Sequence, residues 1–299
     1  MCELFAVSSD HEIKPNEWLK AFFTLSNKNP HGWGMAMFYG SGAVALEKEP
    51  VRADRSRYLK ERLRQDIYVS VMLAHIREAT IGTLEYSNTH PFVNRDSTGR
   101  CWTLIHNGTI FESAALRPYV FQQEGETDSE RILCYIIDQV NWKTSNLCRP
   151  LTEAERCALI DEIVRTIVPG NKLNLLLFDG EVLYAHTNLQ GTLYWCESEG
   201  TRIFATVPFR ILGKRVQAYN SGMISRSGDN PGPDAFISGT RAAGGEASAP
   251  ASLEWHPMPF MTVCAYRGGV QVYQGEPHTH EYHEDPEKMR YLHRAFAGL

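Results

Sequence analysis

The sequence predicts an α+β chain whose strands pair antiparallel, with its helices kept apart from its runs of strands. Three observations carry that expectation. Short apolar runs recur with turn residues between them, as in 173–178, the Asp179-Gly180 turn and 181–186, a spacing that suits hairpins better than βαβ crossovers. Two helical periodicities, one led by Thr127 and one over 152–168, follow each other directly instead of alternating with strands. The chain also opens on an apolar strand-length run, Leu4-Phe5-Ala6-Val7, just after Cys2-Glu3.

Composition narrows the class. A chain of 299 residues with 43% hydrophobic content can bury a core as one large domain or two modest ones. A net charge of −5 without a long basic run argues against a nucleic-acid or membrane-surface protein. Seven scattered cysteines without a C-x-x-C pair suit reduced thiols, so a cytoplasmic protein is expected. No apolar run approaches the length of a membrane span, and no basic-then-apolar signal segment opens the chain.

The elements follow in order. After the first strand, residues 15–25 read as a helix with Trp18, Leu19, Phe22 and Phe23 on one face. His31-Gly32-Trp33-Gly34 leads into a buried strand over 35–39, and Gly40-Ser41-Gly42 turns it into 43–46. The glycines beside Trp33 let the backbone pass close to something bulky or to a ligand, or else form a tight turn. A charged helix is expected over 54–65, with Tyr58, Leu59 and Leu63 inward, and a strand over 67–76 that runs into Arg77. A second strand, 101–106, delivers Asn107-Gly108, which local rules read as a type I′ hairpin turn with Ile110 opening the return strand.

Thr127 and Glu130 fit a capping box ahead of Ile132, Leu133, Ile136, Ile137 and Val140. Thr152 and Glu155 repeat the signal for a helix burying Leu159, Ile160, Ile163, Val164 and Ile167. Strands follow at 173–178, 181–186, 193–196 and 203–207. Residues 219–252, poor in large apolar side chains, are expected to be a flexible insertion, a mobile loop or a lid. Two last strands near 261–267 and 270–274, a His-rich tail and a helix near 286–296 complete the inventory. The tail's His278, His280 and His283 lack H-E-x-x-H spacing, so no metal is assigned there.

Several residues admit both a plain and a chemical reading. Cys2 is either a buried strand residue or, with Met1 removed, a nucleophile whose own α-amine serves as base. That amine titrates near neutrality, which suits general-base work. Arg77, at a strand end before a Thr/Gly loop, is either a surface arginine or a planar fork for a carboxylate. Asn107 and Gly108 are either a turn or an oxyanion hole of one side-chain amide and one backbone N–H. Asp128 is accounted for by the helix dipole alone.

The motifs gain meaning together. Cys2 with its strand, Trp33-Gly34, the run 74–82 (AHIREATIG), Asn88-Thr89-His90-Pro91, 106–110 (HNGTI) and 127–130 (TDSE) resemble, in that order, the class II glutamine amidotransferases. These are N-terminal-nucleophile (Ntn) hydrolases with a catalytic cysteine. The resemblance spans about the first 130 residues, and the strand-rich remainder is compatible with a single domain over 2–299. It implies a four-layer αββα sandwich of two antiparallel sheets. It implies Cys2 as nucleophile toward the γ-amide of L-glutamine, and Asn107 and Gly108 as oxyanion donors. It also implies Arg77 on the α-carboxylate, Asp128 on the α-ammonium, Thr80 and His90 lining the pocket, and a γ-glutamyl thioester that water hydrolyses, with no cofactor.

Larger members of that family carry a synthase domain, for which this chain has no room. The closer likeness is to stand-alone bacterial members, among them the ergothioneine-pathway enzyme. The expected partners are therefore L-glutamine and a separate ammonia-accepting synthase, or else a substituted γ-glutamyl amide that the enzyme simply hydrolyses; a homodimer is compatible with either. A non-catalytic binding protein on the same fold is the remaining alternative.

Overall fold

In a computed structural model, residues 2–39, 43–212, 215–218 and 253–287 are described. Strand β1 (Glu3–Ile13) lies inside a seven-stranded sheet and pairs antiparallel with β4 (Val69–Ile76) and β10 (Thr201–Ala205). That sheet continues through β2 (Trp33–Phe38) and β3 (Val44–Glu49) on one side, and β9 (Tyr194–Ser198) and β13 (His256–Pro257) on the other. A second, six-stranded sheet runs β15-β14-β8-β7-β6-β5. Its strands are β5 (Phe92–Arg95), β6 (Cys101–Thr109), β7 (Lys172–Phe178), β8 (Leu183–His186), β14 (Cys264–Arg267) and β15 (Val270–Gln274). A separate hairpin joins β11 (Phe209–Leu212) to β12 (Arg215–Ala218). Every pairing is antiparallel.

Strand alternation sorts the side chains into three apolar layers. Phe5 and Val7 of β1 face outward against Leu19, Phe22 and Phe23 of α1 (Asn16–Thr24) and Leu59 of α2 (Arg57–Arg62). Leu173, Leu175 and Leu177 face outward from the other sheet, against α3 (Asp128–Leu147) and α4 (Glu153–Ile167). Between the sheets, Leu4 and Ala6 meet Leu73, Ile105, Leu176, Phe178 and Phe204. The result is the four-layer αββα sandwich. Among the described residues no helix is long and apolar enough to cross a membrane.

Several local expectations shift by identifiable causes. The helix expected over 54–65 is split, because Ser56 is extended and caps α2 by accepting from Leu59 N. A short 3₁₀ turn, Ala53–Arg55, precedes it. Thr127 caps α3 through Glu130 N, but the Glu130 carboxylate turns away to accept from Glu124 N and Gly125 N, so the box is half made. The Thr152–Glu155 box is complete. Asn107 and Gly108 are not a turn: they lie within β6, opposite Asn174 and Leu173. The Gly40-Ser41-Gly42 turn, the 219–252 insertion and all of the 286–296 helix beyond Glu287 fall outside the described residues.

Candidate active site

The strand ends converge at one edge of the inter-sheet layer. Cys2 shares the alternation of Leu4 and Ala6, so it belongs to the inward face of the first sheet. Its Sγ accepts a hydrogen bond from Glu78 N at 3.2 Å and its thiol donates to Glu78 O at 3.4 Å, just past the end of β4. Burial pushes the Cys2 thiol up to about 11, while the chain's terminal amine, then Arg77 and, least, Lys172 pull it down and Glu3 pushes it further up.

Arg77 is buried and its guanidinium is largely committed to backbone. It donates to Thr83 O at 2.9 Å, Ile81 O at 2.8 Å and Gly82 O at 3.1 Å, curling the loop after β4 around its fork. Gly82 supplies the positive φ of +79° which that curl needs. Five N–H donors on the guanidinium leave two beyond these three bonds. The loop is then tied to the start of α3: Glu126 accepts from Thr83 N at 2.8 Å and Thr83 Oγ1 at 3.0 Å, and Asn88 accepts from Glu126 N at 2.7 Å. Thr80 sits in this loop, half-buried.

Asp128, the first residue of α3, accepts from Ile110 N at 2.7 Å through Oδ2. The end of β6 is thereby fixed to the helix start. His106 reinforces the junction, with Nδ1 2.9 Å from Ser129 Oγ and Nε2 3.3 Å from Lys172 O. Gly108 is required where it stands, because a Cβ there would collide with Lys172 O and the His106 ring. Asn107 is buried and shares the inward face of β6 with Ile105. Beside Ile110, a cleft of about 310 Å³ is lined by Phe111, Leu116, Arg117 and Arg131, among others.

His90 lies behind the site. It is buried, stacks on His75 with centroids 4.1 Å apart, and neither of its ring nitrogens meets a hydrogen-bond partner. His75 Nε2 reaches His106 O at 3.3 Å, bridging the two sheets just behind Asn107. Gly34 is obligatory against this wall, since a Cβ would strike His90 O; the close neighbour of the Trp33 glycines is thus backbone. Burial pushes the His75 imidazole down to about 3 and that of His90 well below its ordinary value.

The His-rich tail is used structurally. His278 Nε2 meets His186 Nε2 at 2.9 Å, His186 Nδ1 reaches Leu173 O at 2.8 Å, and His280 N donates to His278 Nδ1 at 3.1 Å. That pattern fixes both rings as neutral tautomers, the proton between them carried by His278. Tyr282 stacks on Phe111 at 6.0 Å, which brings the tail beside the end of β6. Among the described residues no group of three or more His, Cys, Asp or Glu is placed to hold a metal ion.

The structure thus gathers Cys2, Arg77, Asn107, Gly108 and Asp128 at one edge, with Thr80 on the adjoining loop and His90 set back. Three contributors had no sequence signal. Glu78 acts through its backbone N–H. Asn171 pins the chain after β6 by accepting from Phe111 N and Glu112 N. Lys172, which reads as an ordinary strand-edge lysine, is buried.

The chain is similar to known proteins in sequence and in fold. The sequence profile described as "Glutamine amidotransferases class-II" matches residues 1–201. An uncharacterized protein of Methanocaldococcus jannaschii is 32% identical over 197 residues, covering 64% of this chain and 52% of its own length. YafJ of Escherichia coli, whose name assigns it provisionally to the glutamine amidotransferases, is 30% identical over 200 residues, covering 63% and 74%. The chain therefore spans about half the length of the archaeal relative. Among solved structures, a predicted glutamine amidotransferase from Pseudomonas aeruginosa aligns at a TM-score of 0.51 and 18% identity, over 91% of this chain and all of that one. The glutamine phosphoribosylpyrophosphate amidotransferase of B. subtilis aligns at 0.51 and 15%, over 69% of this chain and 42% of its own. At such identities the likeness is one of fold.

Proposed function

Because this chain belongs to the class II glutamine amidotransferases, we propose that Cys2 attacks the γ-amide of L-glutamine and releases ammonia through a γ-glutamyl thioester. In the chain trimmed of Met1, the Cys2 α-amine takes the thiol proton as sulfur bonds to the amide carbon. Asn107 and Gly108 receive the negative charge on the carbonyl oxygen. Collapse breaks the C–N bond, the amine returns the proton to the leaving nitrogen, and water then cleaves the thioester. The two spare Arg77 donors take the substrate carboxylate, and Asp128 takes the ammonium with the oxygen that Ile110 does not occupy. Thr80 and His90 shape the pocket from the loop and from behind.

The observation that supports this reading best is the backbone N–H of Glu78 held 3.2 Å from Sγ, a donor aimed at the sulfur where its charge develops. Ammonia acceptance falls to a separate synthase; a substituted γ-glutamyl amide is the alternative substrate on the same machinery.

The test is turnover and trapping. Met1-trimmed protein should release ammonia from glutamine or an amine from γ-glutamyl amides, and rapid quenching should show a γ-glutamyl adduct on Cys2. Cys2→Ala should fold normally and lose activity, and a form retaining Met1 should lose at least the ~10²–10⁴ of a positioned base. A Cys2→Ala variant with a tenth of wild-type turnover would exclude Cys2 as nucleophile.

A further inference from the structure

Lys172 is an unusual residue for its place. It opens β7, where a lysine would ordinarily reach solvent, yet it is 4% exposed. The register sets it opposite Thr109, and it alternates with Asn174, Leu176 and Phe178. Since Leu176 and Phe178 line the inter-sheet layer, Lys172 belongs to the same face as Asn107 and, across the layer, Cys2. Its carbonyl is already committed to the site, meeting His106 Nε2 and closing the space at Gly108.

The charges facing these groups come from four directions. Cys2 sees Arg77 from the loop after β4, Glu3 from its own strand and Lys172 from the opposite sheet. Lys172 sees Cys2 and Glu3 from β1, His106 from β6 and Glu284 from the C-terminal segment. Burial pulls the Lys172 ammonium below its ordinary value, and the negative charges of Glu284, Cys2 and Glu3 oppose that shift, so the charge on Lys172 and the charge on the Cys2 sulfur support each other.

We propose that Lys172 is an electrostatic positioning residue for Cys2, its buried ammonium favouring the thiolate from the opposite sheet. When the S–H bond breaks, the proton passes to the Cys2 α-amine and the electron pair stays on sulfur. A cation nearby stabilises that pair, and it also keeps the α-amine from holding a proton before substrate arrives. This rests on the reading of Cys2 as the nucleophile, but its test needs no substrate.

The experiment follows alkylation of Cys2 by iodoacetamide in Met1-trimmed protein, located by mass spectrometry, from pH 6 to pH 10. Because the thiol is pushed up to about 11, above this range, Lys172→Gln should lower the alkylation rate about tenfold throughout it, as a rise of about one unit in the thiol's pKa requires. Lys172→Arg, which keeps the charge, should restore most of the rate. If Lys172→Gln fails to fold, Lys172→Met replaces it as the uncharged partner of Lys172→Arg. An unchanged profile in the folded uncharged variant, or one that arginine shifts as far as glutamine, overturns the proposal. Wild-type protein that turns over no γ-glutamyl amide while the profile still shifts refutes the glutaminase reading and leaves the role of Lys172 standing.

Discussion

Acid should unfold this protein through its buried imidazoles, and the size of the effect follows from the structure. His75, His90 and His186 are each at most 4% exposed, and burial holds them neutral: His75 and His186 titrate at about 3 and His90 well below its ordinary value. Unfolded, each titrates near 6.5. A histidine whose folded pKa is depressed contributes stability above its unfolded pKa and loses it as pH falls toward the folded one. Between pH 7 and pH 5 the unfolded ring gains about 0.7 of a proton while the folded ring gains almost none, a loss of about 2 kcal/mol per histidine. That figure depends only on the unfolded pKa so long as the folded one lies well below 5. The two rings held down to about 3, His75 and His186, together give a loss of about 4 kcal/mol, to which His90 adds in the same direction, a large part of the roughly 5–15 kcal/mol of a typical domain.

Glu3 works in the opposite direction, since burial raises its carboxyl, so a single-residue difference is the cleaner measurement. His90 offers one, because its ring nitrogens meet no partner and its neighbours are the rings of His75 and Phe92. Phenylalanine keeps the stack and removes one titrating group. The assay is urea unfolding followed by circular dichroism at pH 7, 6 and 5. His90→Phe should lose less stability than wild type over that span. It should be no less stable at pH 7, where an unpaired buried polar group costs about 1–3 kcal/mol. Equal losses in the two proteins would mean that His90 accepts a proton in the folded state, and the account of its burial would fail.

Two further outcomes are expected. Arg77→Lys should raise the KM for glutamine and loosen the 81–83 carbonyls, because an ammonium cannot reproduce a fork already holding three of them. Asp128→Asn should raise KM with the loop intact, and hydrogen exchange of the 81–83 amides separates the two; unchanged KM in both variants would move substrate recognition elsewhere. Arg156→Met should destabilise the fold by about 3–5 kcal/mol, since Arg156 Nε holds the fully buried Asp179 carboxylate at 2.7 Å. A denaturation midpoint within error of wild type would contradict that assignment.

Much of the sandwich was legible because its signals are local. The short apolar runs, the Asp179-Gly180 turn and the Thr152 cap each specify their own element. What local rules missed was decided by pairing at long range. Asn107-Gly108 has hairpin-turn chemistry, yet β7 pairs through it, and the glycine is there because Lys172 O and the His106 ring leave no room for a Cβ. Glu130 had a better offer than its own N-cap in the free amides of Glu124 and Gly125. His278 looked like part of a solvated tail because its partner, His186, is 92 residues away.

The candidate site shows the same limit with more consequence. Residue type identified Arg77 as a fork, but the fork is mostly consumed in shaping its own loop. In the proposed pocket it would therefore contribute a fixed wall plus two remaining donors. Residue type identified Cys2 as a thiol, but the burial that excludes water from it also pushes that thiol up to about 11. A buried thiol needs compensation of this kind to serve as the proposed nucleophile. Here it comes from a backbone N–H, from Arg77 and from a lysine on the opposite sheet. None of these three is adjacent to Cys2 in the chain. Only the pairing of β1 with β4 and of β6 with β7 brings them together.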